Sequence, residues 1–172
     1  MKRSLFLGLF LSITPFLMGQ NNDSLKLNKL EGQWFVVRSN FPMWVKGNKI
    51  NPSFNYIVTT KRGKEVLLDE VVYAKQTKSK NIVGYDKPVD ENNRSFVWRG
   101  KGILFFLKSR WDIVYLDKDG KWMIIHFRKT LFTPEGYDVI SRSKKMDAQT
   151  EKQVLLKLTK LKIEELTVIH QD

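Results

Sequence analysis

The sequence predicts an all-β fold: an eight-stranded antiparallel up-and-down barrel with one helix near the C-terminus. Three observations carry that prediction. Short runs rich in β-branched and aromatic residues recur along the chain, most with alternating polarity. Turn signals separate them every ten or so residues. The period changes to that of a helix only once, after residue 142. Regular short strands without interleaved helices favour a closed barrel, which removes exposed sheet edges.

The elements follow in order. Residues 33–41 form the first strand and 55–60 the second, before the tight turn Lys61-Arg62-Gly63-Lys64. Residues 66–75 and 82–86 are the third and fourth strands, and Pro88 stops the latter because it cannot donate to a ladder. After the turn Asp90-Glu91-Asn92-Asn93, residues 95–107 read as one extended strand with a bulge at Gly100-Lys101-Gly102. Residues 112–116 and 122–128 flank Asp117-Lys118-Asp119-Gly120, a hairpin turn ending in Asp-Gly. Residues 137–142 complete the eight. Asp147 can cap a helix over 148–161, in which Val154, Leu158 and Leu161 make an apolar stripe among Lys152, Lys157, Lys160 and Lys162. Leu166, Val168 and Ile169 suggest a last extended piece.

Composition narrows the chemistry. The 172 residues include no Cys and two His, His126 and His170. Disulfides, thiol nucleophiles, Cys-ligated zinc and multi-His metal sites are therefore excluded. Lys2 and Arg3 precede an uncharged run from residue 5 to 18, then Gly19, Gln20 and a polar stretch. Basic end, short apolar middle and small residues near a cut are the pattern of a secretory signal. We expect residues 1–20 to be that signal, 21–172 to be a single domain, and the product to be periplasmic or secreted. The formal net charge of +12 raises an anionic membrane surface as a partner. Lys78, Lys80, Lys144 and Lys145 are the lysines singled out for that role. Nucleic acid is not expected after export.

Several motifs carry a family resemblance. Leu30-Glu31-Gly32-Gln33-Trp34 resembles the Gly-x-Trp signature that opens the first strand of lipocalins. Phe41-Pro42-Met43-Trp44-Val45-Lys46-Gly47 resembles a loop of bacterial lipocalins, and Tyr56 falls at their second-strand tyrosine. Gly84-Tyr85-Asp86-Lys87-Pro88-Val89-Asp90, the pair Phe105-Phe106, the stretch from Trp111 to Asp119, and Tyr137-Asp138-Val139-Ile140-Ser141-Arg142 are similar to later family motifs in the same order. The resemblance spans the chain after residue 20 and points to the bacterial branch related to apolipoprotein D. Gly120 replaces an aromatic of the second signature, and the lipid-attachment Cys of some relatives is absent. The resemblance implies a ligand cavity and a barrel closure in which Arg142 stacks on Trp34 beside Gly32.

Strand alternation places Trp34, Val36 and Arg38 on one face. With Trp34 inward, Arg38 is expected to enter the barrel, meeting a ligand's anionic head or pairing with Asp69, Glu70 or Asp112. Trp44, Tyr56, Val58, Phe105, Trp111, Ile113 and Tyr115 are further cavity candidates, because lipid pockets need aromatic and aliphatic walls. In the strand 122–128, Trp122, Ile124 and His126 oppose Met123, Ile125 and Phe127, and alternation does not say which set is internal. His126 lacks a second His or a nearby carboxylate in sequence. No phosphate loop or nucleophile elbow is present. The expected function is to bind, sequester or transport a small hydrophobic ligand (fatty acid, lysophospholipid or phospholipid) without a cofactor or metal. The alternatives are a lipid- or isoprenoid-modifying enzyme on the same barrel, acting through His126 or an interior carboxylate, and a basic surface adaptor without a cavity. The oligomeric state is not indicated.

Overall fold

The computed structural model describes residues 24–131, 133–164 and 166–171. The expected signal segment, 1–20, lies outside the described residues. After a 3₁₀ turn at Leu27–Lys29 come β1 (Gly32–Ser39), the one-turn helix α1 (Pro42–Val45), β2 (Ile50–Lys61), β3 (Lys64–Lys75), β4 (Lys78–Pro88), β5 (Ser95–Gly100), β6 (Lys108–Leu116), β7 (Trp122–Arg128), β8 (Gly136–Ser141), α2 (Ala148–Lys160) and the short β9 (Thr167–Val168). Every strand from β1 to β8 pairs antiparallel with the next, and β1 pairs with β8 as well as β2. The eight strands therefore form a closed barrel.

The closure is not even along β1. Its N-terminal half pairs with β2 up to Phe35↔Ser53, and its C-terminal half with β8. Where β2 leaves, β9 takes its place on β1 at Arg38 and Ser39. The Gln171 amide donates to Val36 O at 2.7 Å and to Pro52 O at 3.0 Å, tying the C-terminal tail across the gap.

Two apolar clusters lie on either side of the sheet. The interior one includes Trp34, Val36, Phe54, Tyr56, Leu67, Phe96, Trp111, Ile113, Met123 and Ile125. The outer one joins Val37, Trp122, Ile124 and Val139 to Val154 and Leu158 of α2. The helix thus covers β7, β8 and β1 from outside, and Asp147 caps it by accepting from Thr150 N at 2.8 Å. Met123 and Ile125 face inward while Trp122 and Ile124 meet the helix.

The expected strand 95–107 is two elements. Gly102 adopts φ +61°, which favours glycine, and Gly100 N donates to Leu107 O, closing a turn between β5 and β6. The ends near Trp34 and near α1 differ. At the first, Arg142 Cζ stands 3.6 Å over the Trp34 ring and its Nη atoms donate to Gln33 O and Lys29 O. Trp34 Nε1 in turn donates to Leu30 O at 2.8 Å. Gly32 lies at φ +90°, and a Cβ there would stand 3.2 Å from Arg142 Nη1. Gly32, Trp34 and Arg142 seal this end together.

Candidate functional site

The other end opens on a cavity of about 500 Å³, within the roughly 300–1,000 Å³ of small-molecule sites. Its mouth is formed by the β1–β2, β5–β6 and β7–β8 connections, which contribute Pro42, Met43, Lys46, Lys49, Leu107, Thr133 and Pro134. Its walls are mostly apolar: Phe54, Tyr56, Val71, Ile82, Trp98, Trp111 and Phe127. Beneath lies a row of stacked rings, with Phe54 to Tyr56 and Tyr56 to Trp111 at 6.0 Å and Trp111 to Phe96 at 4.4 Å. Trp44 stands edge-on to Phe54 at 6.4 Å.

Three aspartates are buried inside this apolar barrel. Asp138 accepts from Ser39 Oγ at 2.5 Å and from Trp44 Nε1 at 2.9 Å, which fixes α1 over the mouth. Burial pushes its pKa up to about 7 against the pull of those two donors. Asp86 accepts from Trp111 Nε1 at 2.7 Å, and burial raises it to about 7 also. Asp69 is raised well above the usual range by burial first and then by Asp86. The same burial, followed by the three carboxylates, raises the Tyr56 phenol. The sequence reading did not single out these acids as a buried group, although a signal for two of them exists: Leu67-x-Asp69-x-Val71 and Gly136-x-Asp138-x-Ile140 put a carboxylate on one strand face between small or apolar neighbours. Burial of a carboxylate without a cation partner marks a site to inspect.

Of the residues expected to contact ligand, Trp44, Tyr56 and Trp111 line the cavity. Val36 and Ile113 lie in the interior core and Val58 packs against it, away from the cavity lining. Three others are corrected. Arg38 does not enter the barrel; it pairs with Glu151 of α2 and donates to Leu166 O at 3.1 Å. The register shifts between Val36 and Arg38, leaving Val37 as an extra residue, so alternation reverses and Ser39 faces inward instead. Asp69, Glu70 and Asp112 are consequently not its partners. Tyr115 fails for the same reason: the register shifts between Ile113 and Tyr115, and Tyr115 packs outside against Trp122 at 4.9 Å and under Lys157 at 3.9 Å. Phe105 is 64% exposed at the β5–β6 turn, edge-on to Phe106.

The sequence missed Trp98, Ser109, Val71, Ile82 and the mouth lysines. Lys49 lies over the Tyr73 ring at 4.8 Å, and partial burial, with Lys75 nearby, lowers its pKa. His126 has carboxylate neighbours that sequence distance concealed. Its Nε2 meets Glu135 Oε1 at 3.0 Å and its ring stacks on Tyr137, on the outer face of β7. The four lysines chosen for a membrane surface are divided: Lys78 and Lys80 begin β4, while Lys144 and Lys145 line a groove beside Arg38 and the C-terminal tail. Among the described residues, no group of three His, Asp or Glu side chains is placed to hold a metal ion, and no helix is long and apolar enough to cross a membrane.

No family model matches the chain, and no curated protein shows significant similarity to it. Solved structures do resemble it. Per a 4, a major allergen of cockroaches, aligns over 87% of this chain and 90% of its own with a TM-score of 0.64 and 15% identity. Lobster apocrustacyanin A1 aligns over 84% of this chain and 79% of its own, TM-score 0.61, at 13% identity. The fold is that of the lipocalins. The siderocalin Ex-FABP, described as functioning through dual ligand specificities, aligns over 84% of this chain and 95% of its own, TM-score 0.59, also at 13% identity. Barrel and helix are therefore shared with these structures at low overall sequence identity.

Proposed function

We propose that the protein binds one small hydrophobic ligand of the lipid class inside its barrel and exchanges it at an anionic membrane surface. The observation that carries this reading is the cavity itself, apolar-walled and open at one end. Burial of a chain of about 14 methylenes contributes on the order of 11 kcal/mol before the cost of immobilisation, at about 0.8 kcal/mol each. Lys46 and Lys49 at the mouth suit a fatty-acid or phospholipid head, the role that Arg38 cannot take. His126, the base considered from sequence, is held on the outer surface, which favours binding over catalysis.

The rim supports the membrane part. Ile103, Phe105 and Phe106 on the β5–β6 turn and Leu131 before β8 are large, apolar and exposed, Leu131 at 90%. They belong to the same connections that supply Leu107, Thr133 and Pro134 to the mouth. Apolar tips beside lysines suit an interface of anionic lipid, where each nearby cation adds about 1 kcal/mol. We also read the chain as an exported, periplasmic or secreted member of the bacterial branch related to apolipoprotein D. The charge pattern of residues 1–20 and the ordered motifs support that assignment.

Trp44, Trp98 and Trp111 line the cavity, so ligand entry is read by their fluorescence. Titration with a long-chain fatty acid gives saturable one-to-one quenching, and Ile82→Trp, which fills the cavity, abolishes it while far-UV circular dichroism is retained. Vesicles containing phosphatidylserine bind the protein, and Phe105→Ser with Leu131→Asp weakens that binding. Absence of any saturable quenching overturns the carrier reading. Indifference to phosphatidylserine overturns the membrane part.

A further inference from the structure

The cavity wall contains a cluster of polar atoms with no partner. Asp69 Oδ1, Trp98 Nε1 and Ser109 Oγ are each buried and each lacks a hydrogen bond among the described residues, and all three residues line the cavity. They come from three strands, β3, β5 and β6, yet they are contiguous. Trp98 is the cross-strand partner of Ser109, and Asp69 is the partner of Gly84 on the intervening β4. A Cβ on Gly84 would stand 2.3 Å from both Cε2 and Nε1 of Trp98. The absent side chain is what allows the indole to lie across β4 with its N–H turned toward Asp69, whose pKa that donor lowers, while Asp69 Oδ1 and Trp98 Nε1 stay outside the geometry of a formed hydrogen bond. Natural proteins leave very few buried polar atoms unpaired, so three at one cavity wall require a partner from elsewhere.

The chemistry of the three atoms selects that partner. Asp69 Oδ1 accepts, the Trp98 indole only donates, and the Ser109 hydroxyl does either. A hydroxyl group has one donor and two acceptor sites and can satisfy all of them. A carboxylate has no donor for Asp69 Oδ1 and would bring a further charge beside the buried acids. An ammonium offers nothing to the indole N–H, and an ether accepts only, so it pairs with Asp69 only through a carboxyl proton. We propose that Asp69, Trp98 and Ser109 form a binding site for a hydroxyl group on the buried part of the ligand. This site deepens the carrier reading and rests on it: the head of the ligand stays near Lys46 and Lys49, and the hydroxyl is carried inward on the chain.

The test uses a straight-chain fatty acid and its ω-hydroxy, ω-methoxy and ω-amino analogues of equal length, titrated into the full-length protein by tryptophan quenching and calorimetry. The ω-hydroxy acid binds at least tenfold more tightly than the unsubstituted and ω-methoxy acids, because of these three it alone can both donate and accept, and so pair all three atoms whether or not Asp69 holds its proton. Trp98→Phe and Ser109→Ala each reduce that ratio several-fold, and the Ser109 variant, a loss of one oxygen, reports even if the indole proves necessary for folding. Equal affinities for the hydroxy and methoxy acids, a ratio unmoved in both variants, or tighter binding of the ω-amino acid overturns the hydroxyl site. If the unsubstituted acid binds and no preference is seen, the hydroxyl site alone fails. If none of the four acids binds, the carrier reading fails with it.

Discussion

Asp138 makes stability depend on pH in a direction opposite to that of a salt-bridged surface carboxylate. It is fully buried where β8 lies between β1 and β7, and among the described residues its charge-stabilising partners are the Ser39 hydroxyl and the Trp44 indole. In the folded protein its pKa is about 7, against about 3.9 in an unfolded chain. The folded state therefore binds the proton more tightly. Its contribution to stability is complete below about pH 4 and is lost as pH rises to about 7. Over the whole window the loss is about 4 kcal/mol, and between pH 5 and 7 about 2–3 kcal/mol, to order of magnitude. With a urea slope of about 2 kcal/mol per molar, that moves the unfolding midpoint down by about 1 M between pH 5 and pH 8. Asp86, raised likewise to about 7, adds loss of the same sign. In Asp138→Asn the amide oxygen keeps the Trp44 bond and the titration disappears, so its midpoint falls less over the same range. Urea unfolding followed by tryptophan fluorescence at pH 5, 6, 7 and 8 measures both. A wild-type midpoint that is flat or rises, or an Asp138→Asn variant that tracks the wild-type slope, would refute the assignment of a buried protonatable carboxyl.

Further substitutions test particular contacts. Gly84→Ala forces a Cβ into the Trp98 ring, so thermal unfolding should show a loss of about 1–3 kcal/mol with altered near-UV circular dichroism; an unchanged melting temperature would contradict the close approach. Arg142→Ala removes the stack on Trp34 and two backbone hydrogen bonds, costing about 1–3 kcal/mol in urea, and Arg142→Lys falls between because it keeps charge without the planar fork. Arg38→Ala leaves fatty-acid affinity unchanged in the quenching titration and lowers stability by about 1 kcal/mol, with a measurable coupling to Glu151→Ala in a double-mutant cycle. A tenfold loss of affinity in Arg38→Ala would place it back in the site.

The features legible in the sequence arose from periodicity. Long alternating strands, the Asp-Gly turn at Gly120 and the capped stripe of Val154 and Leu158 have local causes, and the structure has these elements. Single inserted residues were not legible. Val37 and Val114 each add one residue to a strand, and each reverses the face of the residues beyond it. Arg38 and Tyr115, both beyond such a shift, were consequently placed inside when they lie against α2. Nothing local distinguishes a valine that bulges from one that pairs. Phe105 was misplaced because the turn at Gly102 broke a run whose composition reads as strand throughout. Asp69 and Trp98 were missed for a different reason: their meeting needs β3, β4 and β5 in register, and the residue that permits it is Gly84, whose meaning lies in the side chain it lacks.

The central claim is that the barrel interior holds one hydrophobic molecule. Native mass spectrometry of the protein purified from its own host, followed by organic extraction of the molecules that travel with it, addresses that most directly. The account predicts one apolar molecule per chain, removed by extraction and restored by adding a fatty acid or lysophospholipid. A protein that arrives empty and refuses both would contradict it.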